Sequence, residues 1–323
     1  MNRVEYGDCG DCHRQRYRKM ILITGASGFI GSALVQRLAG KKAEIIAACR
    51  NTPCELNGES GVVPVRLDIA RRSDFDALRW ADISAVIHLA ATLPSPEGVP
   101  AVRYLRDNIV GTENVVDFCR EKGIDTFVFA SSVSVYGRSG VLRESDAPAP
   151  LDDYASSKLV AERVCAKFSE AGSRVVILRL SGVYGPGMRP AYVLPVFVRQ
   201  ALKGRDLVVY GEGASAMDYL HVDDAARAFE VALEGNASGL FNACSGEATS
   251  LWDLANLVRE IFGDGSTRVL RDESRPCANR QMNPSPEKAA RGLDFAASIT
   301  LREGFARWKK SLNPAAAVLE GKL

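Results

Sequence analysis

Residues 21–31 read Ile-Leu-Ile-Thr-Gly-Ala-Ser-Gly-Phe-Ile-Gly: an apolar run, a turn with glycine at every third position, then an amphipathic stretch to Leu38. Glycine allows a tight turn and the close approach of a second backbone. A helix that starts at such a turn offers unpaired N–H groups and a partial positive charge to an anion. Strand, turn and helix in this order therefore suit a pyrophosphate. The spacing is G-x-x-G-x-x-G, not the G-x-G-x-x-G of the usual dinucleotide fingerprint, so its weight comes from its place directly after a strand. The competing reading is a turn whose glycines only pack closely.

The rest of the chain keeps this rhythm. Met20–Thr24, Glu44–Cys49, Val62–Leu67, Ala85–Leu89, Phe127–Ala130 and Val175–Leu180 are near-continuous apolar runs. Continuous runs, unlike alternating ones, predict strands covered on both faces. Helices are predicted at Ser73–Arg79, Ala101–Lys122 and Tyr154–Ala171. This alternation predicts an α/β fold, a doubly wound parallel sheet. From about Leu180 the rhythm changes: Gly, Pro and Tyr cluster in Gly182–Tyr192, and shorter elements follow. The expected organisation is a flexible extension (1–19), a dinucleotide-binding domain (20–180) and a smaller, mainly substrate-binding C-terminal domain (181–323). Leu240–Ala243 is expected to return to the first sheet as a late strand.

Composition narrows the function classes. With 46% apolar and 25% charged residues the chain is ordinary globular material, and a net charge of +2 gives no nucleic-acid surface. No apolar run reaches the roughly 18 residues of a membrane span. The cysteines, among them Cys49, Cys119, Cys165 and Cys244, sit at irregular intervals in apolar segments and read as reduced thiols of a cytoplasmic protein. Cys9-Gly-Asp-Cys-His13 has the spacing of a haem attachment, but no apolar export segment precedes it and no fourth ligand is near. It reads as part of the polar extension. Three histidines without paired spacing predict no metal site. Trp80, Trp252 and Trp308 read as packing anchors.

Two segments carry chemistry. Tyr154-Ala-Ser-Ser-Lys158 puts a phenol and an ammonium on one helix face. A phenol of ordinary pKa near 10 is a poor acid or base at neutral pH, and a neighbouring cation brings its anion within reach. Phe127-Val-Phe-Ala-Ser-Ser-Val-Ser-Val-Tyr-Gly137 is a strand that empties into a hydroxyl-rich turn. Hydroxyls at such a strand end lie where ligands bind in an open α/β sheet and can hydrogen-bond an oxygen on which charge develops. The proline-rich Leu93–Pro100 stretch after the fourth strand suits a substrate loop as well as a plain connector.

Gly25–Gly31, Asp68-Ile69, His88-Leu-Ala-Ala91, Asn108, Ser131–Gly137, Tyr154/Lys158, Leu178–Pro186, Gly211-Glu-Gly213 and Tyr219–Asp224 occur in order. Together they resemble the NAD-dependent epimerase/dehydratase branch of the extended short-chain dehydrogenases, from Met20 to about residue 310. The resemblance implies a Rossmann fold and a nicotinamide cofactor held by Gly25, Ser27, Gly28, Phe29, Ile30, Gly31, Asp68, Ile69, Leu89, Ala90, Ala91, Asn108 and Val183. It implies Tyr154 as general acid/base, Lys158 on the nicotinamide ribose and Ser132 on the reacting oxygen. Thr92, Ser134, Arg189 and Arg280 are its substrate candidates. The implied reaction is hydride transfer at a sugar carbon, commonly C4 of a nucleotide-linked hexose. A homodimer through the 101–122 and 154–171 helices is also implied.

Three departures from the family pattern matter. Where NAD-preferring members have an acidic residue after the second strand, this chain has Arg50, which suits a 2′-phosphate and predicts NADP over NAD. Where dehydratases carry an Asp-Glu pair after the active-site hydroxyl, this chain has Val133 and Ser134, so 4,6-dehydration is not expected. Met217 and Gly182 replace an arginine and an asparagine that grip the diphosphate in sugar-nucleotide members. A 4-epimerase or 4-keto reductase of a nucleotide sugar is the leading expectation. A reductase of a non-nucleotide ketone and a non-catalytic binding protein are the alternatives.

Overall fold

The structure, a computed structural model, describes residues 19–51, 60–275 and 279–312. The expected extension, Lys19 apart, and the Cys9–His13 motif lie outside the described residues. The chain runs β1 (Met20–Thr24), α1 (Phe29–Gly40), β2 (Ile45–Cys49), β3 (Val62–Arg66), β4 (Ile83–His88), α2 (Ala101–Tyr104), α3 (Gly111–Lys122), β5 (Thr126–Ser132), β6 (Gly140–Leu142), α4 (Asp153–Glu170) and β7 (Arg174–Leu180). It continues through β8 (Gly182–Tyr184), α5 (Val193–Leu202), β9 (Leu207–Tyr210), β10 (Ala216–His221), α6 (Val222–Glu234), β11 (Gly239–Ala243), β12 (Ala248–Ser250) and α7 (Leu251–Phe262). β13 (Val269–Asp272), β14 (Gln281–Pro284), α8 (Glu287–Leu293) and α9 (Leu301–Ser311) complete it.

Among the described residues, seven strands make one sheet in the order β11-β7-β5-β4-β1-β2-β3. All its pairings are parallel. Strand order reverses between β1 and β4, where such a sheet opens a crevice at the carboxyl ends of its strands. The apolar runs have two cores to fill. Ile23 packs with Leu34, Val35 and Leu38 of α1 and Phe229 of α6. Its neighbour Leu22 faces the other way, toward Val115 and Cys119 of α3 and Ala161 and Cys165 of α4.

Several expectations need correction. β3 is an edge strand, with Val63 37% exposed, and Pro64, which has no N–H to donate, is tolerated there. The helix expected at Ser73–Arg79 is a 3-10 segment at Arg72–Leu78. The single helix expected for Ala101–Lys122 is interrupted by a π-helical turn, Leu105–Val110. Trp80 is 49% exposed and anchors no core, whereas Trp308 is buried. Cys119, Cys165 and Cys244 are buried free thiols, but Cys49 is disulfide-bonded, to a partner outside the described residues.

The second half, joined by β6 from the first, builds a smaller sheet, β12-β10-β14-β6, with β8 paired to β10, and a two-stranded β13-β9 sheet. A separate core joins Leu194 and Phe197 of α5, Leu254 and Val258 of α7 and Phe305 of α9. β11 returns to the first sheet beside β7. No described helix is long and apolar enough to cross a membrane.

Candidate active site

The glycine turn closes against the end of β4. Gly25 has φ +70°, and a Cβ there would lie 2.7 Å from the Ala90 nitrogen; a Cβ on Gly31 would lie 2.2 Å from the Gly25 carbonyl oxygen. Larger residues are therefore excluded from the turn. Gly28 caps α1 with no side-chain hydrogen bond, which leaves the first-turn amides of Phe29 and Ile30 for a ligand, with Ser27 just ahead of them. A dinucleotide pyrophosphate fits this cradle. Leu89 N donates to Thr24 O (3.1 Å), so the Leu89–Ala91 backbone follows β1 past the cradle.

Beyond β2 and β3 lies a pocket of about 520 Å³ lined by Arg50, Arg66, Asp68, Arg71 and Asp74, among others. Asp68 accepts from Ala70 N (3.1 Å) and pairs with Arg106 (2.9 Å). Ile69 is buried against Gly111, where a Cβ would sit 2.6 Å from its Cδ1. Arg50 is not a free guanidinium. Its Nη1 lies 3.1 Å from Oδ2 of Asp107, a buried carboxylate that also takes the Thr92 hydroxyl. The expectation of NADP rests on a guanidinium at this position suiting a 2′-phosphate; here one of its nitrogens is taken by Asp107, while the half-exposed side chain still lines the pocket.

The π-helical turn carries Asp107 and Asn108 to the site. Asn108 Oδ1 accepts from Thr92 N (2.7 Å), and its Nδ2 donates to Thr92 O (3.1 Å) and Ser157 Oγ (2.9 Å). Asn108 thus ties the loop after β4 to α4 and is itself fully engaged, buried at 1% exposure.

Ser132 ends β5 and caps the 3-10 turn Val133–Tyr136, accepting from Ser134 N (3.2 Å) and Ser134 Oγ (2.9 Å). α4 starts at Asp152, whose carboxylate accepts from Ala155 N (2.7 Å), and this cap aims Tyr154 and Lys158 at the end of β5. Burial pushes the Tyr154 phenol well above its ordinary value, and its hydrogen bond with Ser132 pulls the other way. Lys158 is buried, donates to Ala130 O (2.8 Å) and lies 4.9 Å from the centre of the Phe129 ring. Burial lowers it to about 8, with Cys165 and Glu162 opposing. The three expected groups meet at the end of β5, but the expected lowering of the phenol by Lys158 is not found: burial raises it, and Ser132 is the group that opposes the rise.

Tyr104 and Tyr192, which sequence reasoning passed over, also face Tyr154. The Tyr104 ring centre is 6.1 Å from that of Tyr154, and Tyr192 joins the wall through its hydroxyl to Pro94 O (3.2 Å). Tyr192 stands at the end of the Gly, Pro and Tyr cluster Gly182–Tyr192, whereas Tyr104 lies in a stretch that reads as helix and carries no such signal. Val183 lies on β8 opposite Leu220. Arg189 and Arg280 are exposed, and neither guanidinium has a polar partner among the described residues. Met217 packs on Gly182: a Cβ there would lie 3.3 Å from the Met217 methyl carbon.

A doubly wound sheet with a side-chain-free glycine cradle at its switch point defines a dinucleotide-binding protein. The NAD dependent epimerase/dehydratase family profile matches residues 21–244, and the chain belongs to that family. It is similar to MoeE5, solved in complex with UDP-glucuronic acid and NAD, at 33% identity and TM-score 0.80, over 90% of this chain and 99% of that one. It is similar to the UDP-glucose 4-epimerase of Thermotoga maritima, solved with UDP-glucose, at 26% identity and TM-score 0.83, over 92% and 99% of the two chains. A dTDP-glucose 4,6-dehydratase of Actinoplanes sp. is 30% identical over 88% of this chain and 95% of its own length.

Proposed function

We propose that the protein epimerises C4 of a UDP-linked hexose or hexuronic acid with a retained NAD. The observation that carries this reading is the convergence of Ser132, Tyr154 and Lys158 at the end of β5 with no carboxylate after Ser132. Val133 is buried and Ser134 is bonded to Ser132. Nothing at those two positions can take the proton that a 4,6-elimination must move, which separates this site from that of the dehydratase relative. NAD is favoured over NADP because MoeE5, which the chain resembles, was solved with NAD, and one nitrogen of Arg50 is already taken by Asp107.

In this reading the Ser132 hydroxyl orients the C4 oxygen and Tyr154 removes its proton. The bound nicotinamide supplies the two-electron acceptor and donor. A phenol raised by burial makes a strong base once ionised, and Lys158, one helical turn away on the same face of α4, would be the cation that offsets the phenolate charge. Tyr154 would also be placed to return the proton to the C4 oxygen. The glycine cradle and the Leu89–Ala91 strand end hold the dinucleotide. Thr92, fixed by Asp107 and Asn108, borders the sugar.

Denaturing the purified protein and identifying what it releases tests this. One NAD⁺ per chain is expected. An empty protein that binds NADPH more tightly than NADH would point instead to a reductase. The apolar contact of Met217 with Gly182 favours a second reading, a non-nucleotide ketone as substrate, supported if simple ketones turn over and UDP-sugars do not bind. Val102 (66% exposed), Leu105 (52%) and Val160 (38%) lie on the helical segments through which a homodimer is proposed; a dimer mass at micromolar concentration is expected.

A further inference from the structure

Glu162, Arg179 and Ser131 take no part in the reaction as drawn, yet they form a buried ion-pair cluster directly behind it. Tyr154, Lys158 and Glu162 follow at i, i+4 and i+8, on the face of α4 that packs on the sheet. Three successive residues of β5 meet them. Ala130 O accepts from Lys158 Nζ (2.8 Å), Ser131 Oγ donates to Glu162 Oε1, and Ser132 faces Tyr154. Arg179, in register with Ser131 on β7, closes a two-pronged pair with Glu162: Nε to Oε1 is 2.9 Å and Nη2 to Oε2 is 2.7 Å. Its guanidinium carbon lies 4.5 Å from the centre of the Tyr136 ring. The Tyr136 hydroxyl donates to Oδ1 of Asn242 (2.7 Å), which is in register with Arg179 on β11.

Stability is a poor reason for this arrangement. The side chains of Arg179 and Glu162 are 3% and 8% exposed, and Arg179 Nη1 has no hydrogen-bond partner among the described residues. Desolvating such a pair costs about as much as its attraction returns, and apolar replacement of both partners is often neutral. What the pair supplies is register and charge. It fixes the Ser131 side chain, and with it how Ala130 O and the Ser132 hydroxyl are presented on either side. We propose that the Glu162–Arg179 pair, acting through Ser131, is a positioning device that sets the end of β5 for Lys158 and Ser132. This rests on the reading of Ser132, Tyr154 and Lys158 as the catalytic groups.

The groups that bear on Lys158 are Glu162 and Cys165 on α4, His88 on β4, and the Phe129 ring and Ala130 carbonyl on β5, with Tyr154 one helical turn before it on the same face of α4. Replacing Glu162 by Gln leaves the Arg179 cation uncompensated among them, which lowers Lys158 further. Ser131→Ala, Glu162→Gln and Glu162→Gln/Arg179→Met are made in the full chain. Three quantities are read: kcat and KM for UDP-glucose, thermal midpoint, and Lys158 titration by NMR of ¹³Cε-lysine. Ser131→Ala is expected to lower kcat about tenfold with KM within about threefold, since small misplacements act on turnover. Glu162→Gln is expected to lower kcat further and move Lys158 down by about one unit. The double variant is expected to return Lys158 toward its starting value but leave kcat low. Variants that melt earlier yet keep kcat per folded chain and the Lys158 titration would reduce the pair to a structural role. If Glu162→Gln does not fold, the other two variants decide. If the wild type turns over no UDP-sugar, the proposed function fails, while a Lys158 titration unmoved in Glu162→Gln would separately overturn the positioning role.

Discussion

Two buried polar clusters, one at the point where strand order reverses and one two strands further along the sheet, are built from opposite materials. At β1 and β4 the chain of hydrogen bonds is neutral. Ala90 N–H donates to Thr24 Oγ1 (3.3 Å), Thr24 donates to His88 Nδ1 (2.6 Å), His88 Nε2–H donates to Thr112 Oγ1 (3.1 Å), and Thr112 donates to Asn108 O (2.6 Å). Each hydroxyl gives one proton and receives one, which fits only an uncharged imidazole protonated on Nε2. Burial, reinforced by Lys158, holds His88 down at about 3, in agreement. At β5 and β7 the cluster is ionic, Glu162 against Arg179, one helical turn from Lys158. A neutral chain can fix the path of a backbone without imposing a field. The ionic cluster fixes position and also acts on the charge of its neighbour. On this account the cofactor side of the crevice needs only shape, and the proton-transfer side needs shape and potential.

The comparison breaks most readily at its chemical end. Tyr154→Phe is expected to lower turnover about 10²–10⁴-fold with the fold intact, the usual worth of a positioned acid/base. On the neutral side, Thr112→Val is expected to leave turnover within about threefold. Its cost falls on stability, about 1–3 kcal/mol for the orphaned His88 donor, read from a denaturant melt. Equal losses of turnover on both sides would erase the distinction.

The two clusters should also fail at opposite ends of the pH scale. His88 titrates at about 3 when folded and near 6.5 when unfolded, so its contribution is complete above pH 6.5 and is lost as pH falls toward 3. Melts across that window should lose up to about 1.4 kcal/mol per pH unit from this group. Lys158, held at about 8, is cationic below that pH, so turnover should fall as pH rises through about 8 in a pH–rate profile. A plateau to pH 10 would contradict the role given to the ammonium. The smallest effect belongs to Asp107→Asn. It weakens the pair between the half-exposed Arg50 and the buried Asp107 and should shift the NADH-to-NADPH affinity ratio toward NADPH by about threefold in a binding titration.

The parallel sheet was legible because strands covered on both faces leave unbroken apolar runs, and β2, wholly buried, is the clearest case. Tyr154 and Lys158 were legible because helix geometry fixes what i and i+4 share. Arg50 misled because its partner Asp107 lies 57 residues away, on a π-helical turn inside what reads as one continuous helix. β3 misled because composition does not say which strand ends a sheet, although Pro64 was a clue. Arg179 could have been found. It is a lone charge in the run Val175-Val-Ile-Leu-Arg-Leu180, and a buried charge must have a partner. Glu162, two turns beyond Tyr154 on the buried face, was the candidate.

The most direct test is to incubate the purified protein with UDP-glucose, and separately with UDP-glucuronic acid, with no cofactor added, and follow the sugar by proton NMR. The account predicts the C4-inverted sugar from at least one of them, with no net change in bound NAD and no product in Tyr154→Phe. A 4-keto-6-deoxy product, or turnover only when NADPH is supplied, would contradict it.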